Sequence, residues 1–230
     1  MIHTFEKLTN KEQKIQSEFM ARLKIVKRKT KKPIIIAMIG LVGSGKSFVA
    51  QKLSKLINAT IVKSDNIRIE LRKQNIKYGR TQLIAENIAL EILNQGGNVI
   101  LDSDFVDKNK RASIREKAKK IGASLIFIYT YCDIEIMIGR IITANYHNNV
   151  DDFFGGANSK WQGDDQSKGA VVKICEMWRR TPQHYDWINQ NGGQWKLKKF
   201  PNKIFANIDT TDSDLCQREI EKCATKLLEQ

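Results

Sequence analysis

The chain has 230 residues, with 39 lysines and arginines against 25 acidic residues and a net charge of +14. A hydrophobic content of 41% supports a sizeable core; no apolar run approaches the ~20 residues that span a bilayer, and the N-terminus lacks a secretory apolar stretch. The positive charge favours anionic partners such as nucleotides, phosphorylated compounds or nucleic acid, and suits a solvated lysine-rich surface equally well.

Cys132, Cys175, Cys216 and Cys223 form no CxxC pair and no zinc spacing, so they read as reduced thiols of a cytoplasmic protein. Residues 1–32 read as a basic leader. Ile15, Phe19, Leu23 and Val26 recur at helical spacing, and Lys24, Lys27, Arg28, Lys29, Lys31 and Lys32 crowd its end. An amphipathic helix followed by a charged hinge is expected.

Residues 33–230 read as one α/β unit. Ile34–Ile39 is an apolar run fit for a buried strand, and Lys46–Asn58 carries Val49, Leu53, Leu56 and Ile57 on one helical face. Ala59–Lys63 is a β-branched run, and Ser64-Asp65 signals a helix N-cap. Thr81 is expected to cap a helix over Gln82–Asn94, closed by Gly96-Gly97. Asn98–Leu101 reads as the third strand, Lys110–Ile121 as a helix stopped by Gly122, and Ser124–Tyr131 as the fourth strand. Asp133 is expected to cap a helix reaching about Ala144.

The stretch Asn145–Gly169 breaks this rhythm and suggests a lid-like insertion over about residues 145–200. Ala170–Arg180 looks helical, ended by Pro182, and an aromatic, basic patch follows from His184 and Tyr185 through Trp187 and Trp195 to Lys196, Lys198, Lys199 and Phe200. Ile204–Ile208 fits a last strand and Asp214–Leu228 a closing helix. Strands alternating with helices predict a three-layer α/β/α fold with a five-stranded parallel sheet, a lid insertion and an N-terminal helix. Ligands of such sheets bind at the edge formed by the strands' C-terminal ends.

Gly40-Leu41-Val42-Gly43-Ser44-Gly45-Lys46-Ser47 fits G-x-x-x-x-G-K-[ST], between a predicted strand and a predicted helix. Its glycines let successive amide N–H groups curl around a triphosphate, and the helix dipole faces the same anion. Gly40, Gly43, Ser44, Gly45, Lys46, Ser47 and Phe48 are therefore the expected nucleotide contacts. Lys46 would reach the β and γ phosphates, and Ser47 would bind Mg²⁺. Asp102, at the end of an apolar strand, is the second expected metal ligand. Asp65 and Arg68 lie one helical turn apart and share a face; a carboxylate there could accept an acceptor hydroxyl's proton while the arginine grips an anionic group.

Lys63-Ser64-Asp65-Asn66-Ile67-Arg68, Gly97-Asn98-Val99-Ile100-Leu101-Asp102, Arg111 and the Cys132-to-Arg140 stretch resemble the zeta-toxin and polynucleotide-kinase-like group of P-loop kinases, over about Pro33–Ile142. The resemblance implies that Asp65 activates the acceptor hydroxyl, that Arg68 binds substrate and that Arg140 is a catalytic arginine near the lid. Two features depart from that group. Asp102-Ser103-Asp104-Phe105 stands where D-x-T-N is usual, and Ile141 to Tyr146 lacks a second lid arginine, for which Lys160, Lys168, Arg179 or Arg180 could substitute.

Asn109-Lys110-Arg111-Ala112 fails the N-K-x-D guanine signal, which argues against a GTPase. The sequence thus predicts a kinase using ATP and Mg²⁺ to phosphorylate an anionic, hydroxyl-bearing acceptor: a nucleic acid 5′-hydroxyl, a nucleotide sugar or a small metabolite. The competing reading is an ATP-binding nucleic-acid module with ATPase but no kinase activity, built on the basic leader and the aromatic patch.

Overall fold

A computed structural model describes residues 7–144, 165–189 and 193–229. Its centre is a five-stranded parallel sheet in the order β2-β3-β1-β4-β7. The strands are β1 (Ile34–Ile39), β2 (Ala59–Lys63), β3 (Asn98–Asp102), β4 (Ser124–Tyr131) and β7 (Ile204–Asp209). Every residue of β1 is buried, as expected of a central strand covered on both faces.

Helices α2 (Lys46–Ile57) and α8 (Ser213–Leu228) cover one face, where Ile36, Met38, Leu53, Ile57, Ile220 and Leu227 pack together. On the other face lie α1 (Asn10–Arg22), α3 (Ser64–Lys73), α4 (Thr81–Asn94) and α5 (Lys108–Lys120), with Ile15, Ile35, Ala37, Leu71, Ile88 and Ile114 between them. The helix α6 (Ile134–Thr143) follows β4, and α7 (Asp165–His184) leads into an antiparallel hairpin of β5 (Tyr185–Ile188) and β6 (Gln194–Leu197). No helix among the described residues is long and apolar enough to cross a membrane.

All five strands of the sheet were expected from the sequence, and the helix ends are where local reading fails. Ser64 and Asp65 cap nothing: α3 starts at Ser64, and its N-cap is Lys63 without a side-chain bond. Thr81 is likewise the first residue of α4 rather than its cap, its hydroxyl donating instead to Tyr78 O. In the leader, the stripe breaks at Leu23, which ends α1 in an extended conformation, so Val26 lies exposed beyond the helix. Thr9 and Glu12 form the capping box that starts α1. At the other end of α4, the N–H groups of Gly96 and Gly97 satisfy the carbonyls of Leu93 and Ile92, a Schellman closure.

The second half departs further. The helix expected over Ala170–Arg180 runs from Asp165 to His184, and Pro182 lies inside its last turns instead of ending it. Proline removes the bond to the carbonyl one turn back and crowds that carbonyl, and at position 182 the helix has only two residues left to run. Residues 145–164, which hold most of the expected irregular insertion and Lys160, lie outside the described residues.

Candidate active site

Register brings the acidic groups together. β2 and β3 pair with Lys63 opposite Asp102, so Asp65, two residues past Lys63, emerges beside Asp102 at the same sheet edge. The loop after β1 opens at that edge too. The result is a cleft of about 590 Å³ whose walls include Lys46, Ser47, Asp65, Arg68, Asp102 and Arg140. Every catalytic, substrate and metal residue expected from the sequence lines this one space, as do Gly40, Gly43, Gly45 and Phe48 of the expected nucleotide contacts. Ser44 is the exception: it is buried beneath the loop, its hydroxyl 2.8 Å from that of Thr130.

The loop is clamped from below. Thr210, just past β7, donates its hydroxyl to Ser44 O at 3.1 Å. Gly45 has φ +82°, and a Cβ there would lie 2.8 Å from Thr210 Oγ1. A side chain at Gly45 would therefore collide with the protein itself as well as adopt a strained backbone. Arg140 completes the clamp, donating to Gly43 O at 3.2 Å, to Thr210 Oγ1 at 2.8 Å and to Thr210 O. Its guanidinium thus ties a loop carbonyl to Thr210, a bracing arrangement that the sequence did not indicate.

The side chains expected to carry the chemistry hold lighter contacts. Lys46 Nζ donates to Gly40 O at 2.7 Å and Leu41 O at 2.8 Å. Burial lowers its pKa, against the attraction of Asp104, Asp102 and Asp65. Ser47 Oγ donates to Asp102 Oδ2 at 2.7 Å. Asp65 accepts from Arg68 Nη1 at 2.7 Å, with the carboxylate side chain 58% exposed. Phe48 is exposed, its ring 5.5 Å from Lys52 Nζ.

Asp104 is the feature the sequence marked only as a departure. Its carboxylate accepts from Val106 N at 3.2 Å and sits near Lys46, Lys110 and the Gly40 N–H. Burial raises its pKa, and Lys46 opposes that shift most strongly. Tyr185, the first residue of β5, is buried, and its pKa is pushed well up by burial and then by Asp104. Tyr185 thus lies within electrostatic reach of Asp104.

Sequence reasoning also missed Lys173, Met177 and Thr181. They recur every fourth residue of α7 and present one helical face to the cleft. Of the residues considered as a substitute lid arginine, Arg179 is exposed outside that face, Lys160 lies outside the described residues, and the side chains of Lys168 and Arg180 lie outside what is described. Arg111, part of the resembling motif, is not in the cleft: it is buried, donates to Phe105 O and Val106 O, and lies 4.7 Å from the Phe200 ring.

A side chamber of about 160 Å³ opens from the cleft and shares Ser64, Arg68, Ser103 and Lys110 with it. Tyr78 and Gln82 also line it.

Residues 35–158, more than half of the chain, match the profile of the AAA domain family. The chain belongs to the AAA domain family. Among solved structures, the APS kinase of Mycobacterium tuberculosis, in complex with AMPPNP and APS, resembles it with a TM-score of 0.51 at 16% identity, covering 86% of this chain and 99% of the other. A protein from Chloroflexus aurantiacus gives a TM-score of 0.54 at 15% identity, with 86% and 98% covered. A gluconokinase from Sinorhizobium meliloti is more distant, at a TM-score of 0.45 and 16% identity, with 86% and 94% covered. At such identities the likeness is one of fold, and the fold is that of the P-loop NTPases. No protein of curated function matches this AAA domain chain.

Proposed function

We propose that the protein is an ATP-dependent phosphotransferase that moves the γ-phosphate of ATP to a hydroxyl of an anionic acceptor. The observation that carries this reading is the convergence of the Gly40–Ser47 loop, the Ser47–Asp102 pair and the Asp65–Arg68 pair on one cleft. An ATPase without an acceptor would have no use for the second pair or for the side chamber beside it.

In this reading the loop amides and Lys46 hold the β and γ phosphates. Ser47 Oγ and Asp102 are hard oxygen donors, the kind that suits Mg²⁺ completed by phosphate and water oxygens. A Mg²⁺ ion held by Ser47 and Asp102 would supply positive charge to offset the charge developing on the leaving group. Asp65 accepts the hydroxyl proton as the acceptor oxygen bonds to the γ phosphorus. The bond from that phosphorus to the β–γ bridging oxygen breaks, ADP leaves with the electron pair, and the acceptor departs as a phosphate ester. Arg68 grips an anionic group of the acceptor in the side chamber, and Arg140 acts through the loop by holding Gly43 in place.

The sequence features around Asp65 and Arg68 favour the zeta-toxin and polynucleotide-kinase-like group as the nearest functional type. The basic leader, residues 1–32, would be an extension of a kinase unit spanning 33–230, with a lid insertion at about 145–200. The four cysteines are free thiols, as a cytoplasmic enzyme would have them.

A screen of hydroxyl compounds for transfer of labelled γ-phosphate tests the reading. The acceptors are oligonucleotides with free 5′-hydroxyls, nucleotide sugars and small phosphorylated or carboxylated alcohols. Asp65→Asn should bind ATP and lose transfer, and Lys46→Ala should lower turnover by several powers of ten, since the charge clamp is the main catalytic device. Undiminished transfer by either variant would sink the assignment.

A further inference from the structure

We propose that the outer face of α7 and the β5–β6 hairpin binds single-stranded nucleic acid, stacking bases on Trp178 and Trp187. Trp178 is 57% exposed and Trp187 is 42% exposed. Large rings left in water are an interaction signature when they cluster, and these two flank a third. Trp195 lies between them, with ring centroids 5.7 Å from Trp178 at 87° and 5.2 Å from Trp187 at 68°.

The trio is fixed from behind. Trp195 packs on a buried cluster of Cys132, Met137, Ile141 and Met177. Trp187 faces Trp195 across the ladder, and a Cβ at Gly193 would collide with the Trp187 ring. Both rings thus pack against Trp195 while part of their surface reaches solvent.

Charge selects the partner. Residues 185–200 carry Lys196, Lys198 and Lys199 against Asp186 as their only carboxylate, and Arg179 is exposed next to Trp178. Lys198 is engaged with Asp186 at 3.5 Å. Lys196 and Lys199 are exposed, Lys196 on the hairpin face opposite the rings. A strand that stacks bases on the rings can lay its phosphates around the hairpin edge against these cations. Bases in a duplex are already stacked on one another, so single strands fit and duplexes do not. The rings lie outside the cleft: Lys173, Met177 and Thr181 of α7 line it, and Trp178 is one position removed from that face. The surface is therefore separate from the phosphotransfer chemistry.

Tryptophan emission of the full chain, titrated without ATP, tests this. The probes are a twelve-residue oligothymidylate, a duplex of equal length and inorganic polyphosphate. The oligothymidylate should quench emission and bind tighter than the other two. Trp178→Ala and Trp187→Ala should each weaken its binding by ~5-fold or more, from the ~1 kcal/mol lower bound for a stacked base, and Trp178→Phe should restore most of the loss. Lys196→Ala and Lys199→Ala should each flatten the slope of log affinity against log salt by roughly 0.7. Equal binding of polyphosphate or duplex, undiminished binding by the tryptophan variants, or no binding at all overturns the proposal. So does loss of binding in Lys46→Ala alone, which would put the strand in the cleft. Phosphotransfer is read separately, so either conclusion can fail without the other.

Discussion

Replacing Arg140 distinguishes an arginine that touches the transferred phosphate from one that holds the loop. Arg140→Met removes three hydrogen bonds, to Gly43 O, Thr210 Oγ1 and Thr210 O. The carbonyls left behind are part-buried, so water can rescue them only in part. Orphaned polar groups cost ~1–3 kcal/mol each when fully buried; with partial rescue the expected total is about 2–4 kcal/mol. For a chain of this size each kcal/mol moves the melting point by roughly 2–4 °C, which gives a drop of about 4–16 °C. The assay is thermal unfolding of the ligand-free protein, followed by ATP titration. Bracing predicts a lower melting point without ligand and weaker ATP binding, with Thr210→Val non-additive because it removes a shared partner. An unchanged melting point combined with a loss of turnover alone would refute the brace and return Arg140 to direct phosphate contact.

Three other outcomes follow from the structure. Lys117 and Glu86 form a buried pair at 2.6 Å, with side chains 7% and 1% exposed, and Ser113 and Gln82 also donate to Glu86; Lys117→Met should cost ~3–5 kcal/mol by stranding the carboxylate, and denaturant unfolding with no loss of stability would contradict that. Asp104 has a raised pKa, so its contribution is fully present below the unfolded carboxylate range and is lost as pH rises through the folded value; the melting point of Asp104→Asn relative to the parent should therefore rise with pH from 4 upward, and a flat difference would exclude this carboxylate as the source. Lys46 has a lowered pKa, and polyphosphate should raise it; above neutral pH, nucleotide affinity should then fall as pH climbs through the free protein's value for Lys46, a fall that Lys46→Met should abolish in calorimetric titrations.

The parts of this molecule legible in the sequence are those that depend on residues near one another in the chain. β1 reads as a strand because six consecutive apolar residues need cover on both faces. The Gly40–Ser47 loop reads as a phosphate cradle because the motif states its own geometry. Asp65 and Asp102 could be placed together from the parallel topology alone, and the Lys63–Asp102 register bears that placement out. Helix caps were less legible, since Ser64 and Thr81 had a local signal that tertiary geometry did not use. The β5–β6 hairpin escaped notice because each strand is only four residues long and its aromatics suit a core equally well. Arg140 could not be recognised as a brace, because its partner Thr210 lies 70 residues further along the chain.

The contacts around the loop separate into two kinds, and the separation has a physical reason. Its backbone is fixed by bonds that a ligand has no need to break: Ser44 to Thr130, Thr210 to Ser44 O, and Arg140 to Gly43 O. Preorganised amides gain most from such fixing, because none of their alignment then has to be supplied when a phosphate arrives. The side chains that would do the chemistry are held by bonds a ligand can replace with better ones. Lys46 rests on two neutral carbonyls, which triphosphate oxygens would displace with full charge. Ser47 donates to Asp102 in a bond between exposed side chains, and Asp65 is paired with Arg68 at a solvent-exposed edge where such pairs are worth little. A rigid cradle carrying loosely held reactive groups can bind tightly to a changing charge distribution without first dismantling itself.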